Sequence, residues 1–352
     1  MTDTQYQTAL TLYGQGRYTE GAQILGQAAQ DGHVPAMTLL GQQLLAGRGL
    51  PMDSINGARW IVGAAERGGG LACTTAAALL AAGAGGRPDW PRALDYLRRG
   101  AELGFPTART QLRLLAGRDG EDWKVLRRAI DIKAWRTPPK ARALSREPRI
   151  QVFEGVASPA VCDWIIAQAQ SRLRPARVYD QAGGHAVSDA RSNSAAELSL
   201  TDADLVVLAV RERLAACAGL KVMHLDGPQV LHYAVGQAFA PHFDFHDPAV
   251  PAQAAKIATG GQRVATALLY LNDEGLEGGE TDFPRLGFNH RGRRGDALVF
   301  FNVDTAGEVD RRTWHAGLPP TAGEKWLLSQ WIRDRAPPGA GDPRLAAALS
   351  GR

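Results

Sequence analysis

The chain has 352 residues, 45 % of them hydrophobic, which is enough for about two domains, each with its own core. Its 40 Lys and Arg against 36 Asp and Glu leave only +4, so the basic belt that nucleic-acid binding requires is missing and that class is set aside. Three cysteines, Cys73, Cys162 and Cys217, are odd in number and far apart, which excludes a disulfide framework or a cysteine-rich zinc site and points to a reducing compartment.

The first residues, MTDTQYQTALTLYGQG, lack the charged and apolar regions of a signal peptide, and nowhere do about 18 apolar residues run together. The expectation is a soluble cytoplasmic protein with no membrane partner. Sliding the first 118 residues against themselves aligns AAQDGHVPA at 28–36, AAERGGGLA at 64–72 and GAELGFPTA at 100–108, each 36 residues from the next. The offset holds column by column: Ala29, Ala65 and Ala101; Gly32, Gly68 and Gly104; Ala36, Ala72 and Ala108. Over two copies it also pairs Ala22 with Ala58, Gly47 with Gly83 and Asp53 with Asp89. Such a period means stacked supersecondary units. Here each unit holds two apolar-periodic stretches around a Gly turn, for example 20–31 and 35–46, which predicts helix pairs.

Residues 119–148 form a charged connector, with GEDWKVLRRAIDIKAW predicted as one helix and RTPPKARALSREP as an irregular basic stretch. A short strand, IQVFEG, and a helix capped by Ser158-Pro159 open the next domain, and LVVLAVRERLAACAGL reads as a further helix. Beyond about residue 220 the signals turn to β: PQVLHYAV, RVATALLYLN, DALVFFNV and KWLLSQWI are rich in β-branched and aromatic residues and separated by turn residues. An antiparallel sandwich or barrel with flanking helices follows over 149–335, and 336–352 is expected to be a flexible tail.

In PHFDFHDP, His242 and Asp244 stand two apart, a spacing that on a strand puts both on one face, where they can hold one metal together. A second His would complete the facial triad that leaves open positions on Fe(II). Of the two later histidines, His290 lies in the basic turn NHRGRRG, so His315 is the better candidate. His315 precedes a Pro/Gly turn, which predicts that the strand starting at Lys325 runs back beside the strand ending at His315. On that strand Lys325, Leu327, Ser329 and Trp331 share one face. A buried Lys needs an anion, and 2-oxoglutarate, a chelator with a carboxylate at its far end, would supply one. Tyr233 could donate a further hydrogen bond, and His246 and Asp247 read as rim residues.

Over 228–333 these segments, YAVGQAFAPHFD, GGQRVATALLYLND, GGETDFPRLG, RRGDALVFFNVD, WHAGLPPTAGEKW and QWIR, resemble the 2-oxoglutarate- and Fe(II)-dependent oxygenases of the prolyl 4-hydroxylase group, and the strand–helix opening at 149–173 and the ARSNS segment extend the resemblance to about 149–334. The helical pattern resembles Sel1-like, tetratricopeptide-type repeats over about 20–117, and residues 1–118 are assigned to them. The implied architecture is an α-helical repeat solenoid followed by a double-stranded β-helix, or jelly roll. The resemblance makes His242, Asp244 and His315 the iron ligands and pairs Lys325 with the distal carboxylate of 2-oxoglutarate, with Tyr233, Thr281 and Trp331 around it. Arg191 and Arg263 would line the substrate groove. Phe239 there departs from the Tyr that many relatives carry three residues before the first ligand. The implied cofactors are Fe(II), 2-oxoglutarate and O2, with ascorbate allowed as a reductant.

The leading expectation is hydroxylation of prolyl residues in a protein or peptide, with release of succinate and CO2 and with the repeats docking the substrate or a partner. A small-molecule oxygenase acting on a free amino acid or a natural-product intermediate is the alternative. An oxygenase fold without activity is a third, which the complete set of His242, Asp244, His315 and Lys325 opposes.

Overall fold

The 36-residue register of the sequence becomes a row of helix pairs in the computed structural model, which describes residues 2–176, 178–179, 185–186, 190–199 and 204–350. In chain order the helices are α1 (Thr2–Gly14), α2 (Tyr18–Gln30), α3 (Val34–Ala46), α4 (Ser54–Glu66), α5 (Gly70–Ala81), α6 (Trp90–Glu102) and α7 (Pro106–Ala116). They continue with α8 (Trp123–Ala129), α9 (Ile132–Trp135), α10 (Pro159–Gln170), α11 (Leu205–Ala218), α12 (Pro251–Gly260) and α13 (Pro343–Leu349). None of them is long and apolar enough to cross a membrane. Two compact units result: among the described residues, one comprises 2–132, 204–208 and 339–350, the other 133–199 and 209–338.

Each repeated column of the first unit has a physical reason. Gly32, Gly68 and Gly104 follow alternate helices, α2, α4 and α6, at φ +85, +88 and +87°, a left-handed conformation that glycine adopts without strain. Ala29, Ala65 and Ala101, and Ala36, Ala72 and Ala108, are buried where helices approach closely. Asp53 and Asp89 cap α4 and α6, accepting from the N–H of Asn56 and Arg92.

The connector departs from expectation. Ile130 leaves the helix in an extended conformation and is buried, so the predicted single helix is two, α8 and α9. The stretch expected to be irregular contains a strand, β1 (Ala141–Ser145). The tail is also not free chain: α13 buries Leu345, Ala348 and Leu349 within the repeat unit.

The strands continue as β2 (Ile150–Phe153), β3 (Arg174–Pro175), β4 (Val178–Tyr179), β5 (His185–Ala186), β6 (Ser194–Glu197), β7 (Gln229–Tyr233), β8 (Phe239–His242) and β9 (Arg263–Tyr270). After them come β10 (Glu277–Gly278), β11 (Thr281–Phe283), β12 (Phe288–His290), β13 (Ala297–Phe301), β14 (His315–Gly317), β15 (Pro320–Ala322) and β16 (Lys325–Arg333). An eight-stranded antiparallel sheet has the order β1-β2-β13-β9-β16-β7-β6-β3, and a four-stranded one β12-β11-β14-β8. Ile150, Leu268, Leu298, Phe300 and Leu327 of the large sheet and Phe283 of the small one form a single core between them. This is the expected jelly roll.

One connection differs from prediction. β16 does not pair with β14: pairing to the 277–281 stretch runs on through Pro319 and β15, and only at Gly323, with φ +71°, does the chain turn and cross to the large sheet, where β16 lies between β7 and β9. Lys325 therefore faces the His residues across the space between sheets.

Candidate metal centre

His242 ends β8 and His315 begins β14, and the two are register partners with ring centroids 4.3 Å apart. Asp244 lies in the bend just after β8, because the strand stops at His242, and the bend turns its carboxylate toward both rings. Its Oδ1 is 3.5 Å from His242 Nε2 and its Oδ2 is 3.5 Å from His315 Nε2. One ligand atom from each residue falls within 4.8 Å of the others, and among the described residues this is the only His/Cys/Asp/Glu group so arranged.

The surrounding hydrogen bonds set protonation and orientation. His242 Nδ1 lies 2.9 Å from the Ala240 carbonyl oxygen, and His315 Nδ1 2.9 Å from that of Thr313. A carbonyl only accepts, so each Nδ1 carries the proton and each Nε2 lone pair is left toward Asp244. Thr266 Oγ1 donates to Asp244 Oδ2 at 2.7 Å, and Asn302 Nδ2 donates to Thr266 Oγ1 at 3.1 Å. Burial alone would raise the pKa of Asp244, but the two imidazoles and the Thr266 hydroxyl outweigh it and hold the group well below the usual carboxylate range. Burial, and next to it His242, brings His315 down to about 4. At neutral pH the acid is thus charged and the imidazole neutral, the forms in which they ligate a metal.

The cavity above these residues is lined from the small sheet by Phe239, Thr281 and Gly317 and from the large sheet by Tyr233, Lys325 and Trp331. Leu327 and Ser329 also line it, so the four residues expected to share a face of β16 do so. Lys325 is 1 % exposed, its Nζ has no hydrogen-bond partner, and it lies 5.1 Å from the centroid of the Tyr233 ring. Burial lowers its pKa to about 7, with Glu280 opposing. Burial also pushes Tyr233 up to about 12, so the phenol remains a donor.

Arg191 reaches the cavity: its guanidinium sits 4.5 Å over the Phe239 ring, whose other neighbour is the His242 imidazole, stacked at 3.6 Å and 15°. Arg263 does not line the cavity. It donates to Asp226 at 3.0 Å and lies 3.7 Å over the Trp331 ring, so it supports the wall from behind. His246 is buried and not at a rim, its N–H bound by Gln262 Oε1. His290 stays outside the cluster, edge-on to Tyr270.

Three positioning groups escaped the sequence reading. Thr266 and Asn302 hold Asp244, and Tyr270, fully inside the core, shares a 3.0 Å hydroxyl contact with Thr281. The available signal was the period of two in RVATALLY, which puts Thr266, Leu268 and Tyr270 on one face of β9.

These residues fit an Fe(II) ion and an anionic chelator. Two imidazoles and one carboxylate make a facial donor set, and a buried amine with no partner is costly until an anion reaches it. The profile of the 2OG-Fe(II) oxygenase superfamily matches residues 228–333. "Probable prolyl 4-hydroxylase 7" of Arabidopsis thaliana is 35 % identical over 215 residues, 55 % of this chain and 66 % of that protein. "Prolyl 4-hydroxylase 1" of the same plant is 31 % identical over 258 residues, 66 % of this chain and 86 % of that protein. A solved Sel1 repeat protein from Oxalobacter formigenes covers 39 % of this chain and 61 % of its own at 22 % identity, with a TM-score of 0.31. By the extent of its match to these plant proteins, the chain belongs to the prolyl 4-hydroxylase family of the 2OG-Fe(II) oxygenase superfamily, whose chemistry draws on Fe(II), 2-oxoglutarate and O2.

Proposed function

We propose that this protein hydroxylates prolyl residues of a peptide or protein substrate, with His242, Asp244 and His315 holding Fe(II) and Lys325 holding the distal carboxylate of 2-oxoglutarate. The observation that carries the reading is the pairing of two features in one cavity: the His-Asp-His cluster and the buried, unpartnered Lys325 amine opposite it. Relatives named as prolyl 4-hydroxylases support the substrate class.

The bound metal would supply the activation of O2 that couples oxidation of 2-oxoglutarate, to succinate and CO2, to hydroxylation of the substrate. The chain's own residues do the rest. Nδ1–H bonds to Ala240 and Thr313 fix both imidazoles, and the Thr266 hydroxyl fixes Asp244. Lys325, with the Tyr233 hydroxyl on the same wall and the Thr281 hydroxyl on the facing one, receives the far end of 2-oxoglutarate. Leu231, Leu268 and Leu327 keep the cavity dry. Arg191 and Phe239 on one side and Trp331 on the other form the surface the substrate meets, and the helical repeats dock the substrate protein or a partner.

The test is incubation of the protein with Fe(II), 2-oxoglutarate, heavy-isotope O2 and a library of proline-containing peptides, with His242→Ala as control. Heavy oxygen on a peptide proline, absent in the control, is the expected result. Succinate formation driven by small metabolites, with no labelled peptide, would overturn the substrate class.

A further inference from the structure

The hydroxylase reading leaves α13 unused. The helix has seven residues, fewer than the roughly 12–15 that hold a helix together in water. It nevertheless buries Leu345, Ala348 and Leu349, one face at i, i+3 and i+4 spacing. Its order therefore comes from its seat, and that seat is in the repeat unit. α13 packs on α4, and the backbone of Ala346 rests on Gly85, just beyond α5. A Cβ at Gly85 would meet Ala346 Cα at 2.9 Å and Ala346 N at 3.0 Å, and its three nearest neighbours all belong to Ala346. Arg92 Nη2 donates to the Leu349 carbonyl at 2.6 Å and so closes the helix's C-terminal end.

The segment leading to α13 is Ala336-Pro337-Pro338-Gly339-Ala340-Gly341, with Gly339 and Gly341 at φ +80 and +70°. It has no large apolar side chain to anchor it, so it acts as a tether. A seven-residue helix held by Leu345, Ala348, Leu349 and one terminal hydrogen bond has few contacts to lose, and the tether would keep it near its seat on opening.

We infer that the groove over α4 and Gly85 is a receptor for short helices with the Leu-x-x-Ala-Leu pattern, and that α13 occupies it as an exchangeable internal ligand. The repeat array then binds a partner helix of this pattern only by displacing α13. This goes beyond the proposed hydroxylation, since the groove's ligand is an apolar helix face and not a prolyl residue.

The experiment uses the full chain carrying Leu345→Asp and Leu349→Asp, which frees the tail and leaves the groove intact, with a labelled peptide of residues 339–350 as probe. The double variant should bind the probe at least tenfold more tightly than the unaltered chain, and adding Gly85→Val should abolish binding, because the atoms nearest a Cβ there all belong to Ala346 of the ligand helix. A folded double variant that does not bind, or binding that survives Gly85→Val, would overturn the inference. If the double variant does not fold, hydrogen exchange on the unaltered chain decides: amides of 343–349 exchanging well before those of α4 support an exchangeable helix, and exchange of both together refutes it.

Discussion

Lys325 and Tyr233 are direct register partners across the β16–β7 ladder, both pointing into the cavity, with the amine 5.1 Å from the phenol ring centroid. A ring face is weak compensation for a buried ammonium, which is why burial takes the Lys325 pKa from 10.5 to about 7. Between these values the unfolded chain holds a proton that the folded chain does not, so stability without ligand rises with pH across that window; below about 7 the cost of burying the charge is fully present. Melting curves of the ligand-free protein should show this rise, and Lys325→Met should lose it. An equal rise in the variant would dismiss Lys325 as its source.

With Lys325 in its proposed role, the same amine should make 2-oxoglutarate binding depend on pH in the opposite sense. The dianion takes the ammonium form, so above about pH 7 binding must take up a proton and affinity falls by at most about tenfold per pH unit. Calorimetric titration in two buffers of different ionisation heat, at about pH 8.5, should report uptake approaching one proton. Lys325→Met should abolish the uptake and weaken binding by about a hundredfold. Undiminished affinity in the variant would remove Lys325 from the cosubstrate site.

Thr266 touches no metal position but donates to Asp244 and is itself held by Asn302. Thr266→Val keeps the shape and removes that bond. Fe(II) or Co(II) affinity, measured without O2 or 2-oxoglutarate, should fall about 10- to 100-fold, while the melting temperature changes far less than for a core truncation. Unaltered metal affinity would mean that Asp244 is oriented by the bend alone.

Gly292 lies flat on Tyr270, and a Cβ there would come within 2.0 Å of Tyr270 Cδ2. Gly292→Ala must move the ring and pull its hydroxyl from Thr281. The expected cost is ~1–3 kcal/mol of stability from overpacking, with a raised KM for 2-oxoglutarate and unchanged Fe(II) affinity. That split separates Tyr270's hold on Thr281 from general loosening, which would weaken both.

The sequence revealed what local chemistry repeats or punctuates. The glycine columns at 32, 68 and 104 were legible because each left-handed turn needs the same residue, His242 and Asp244 because they stand two apart, and His315 and Lys325 because they flank a Pro/Gly turn. What stayed hidden depends on distance in three dimensions. Nothing around Arg263 tells that Asp226, 37 residues away, holds it behind Trp331. The sheet that β16 joins is set by its distant partners β7 and β9, and α13 is ordered only by the groove it fills.

Phe239 is stacked between a cation and a metal-site imidazole, with Arg191 4.5 Å over its ring and His242 3.6 Å from it at 15°. The parallel stack restricts the rotation that the Nδ1–H bond to Ala240 leaves to His242, so the ring is expected to contribute to metal affinity at the proposed site without touching metal. Such contacts are worth about 0.5–1.5 kcal/mol, which predicts a loss of about 2- to 12-fold in Fe(II) or Co(II) affinity for Phe239→Leu. Phe239→Tyr keeps the stack and should keep the affinity. The visible absorption of bound Co(II) gives a second reading, because a ring freed to turn changes the ligand field even when the metal stays bound. If Phe239→Leu leaves both the affinity and the spectrum unchanged, His242 is positioned by its backbone bond alone, and the aromatic ring serves only to carry Arg191.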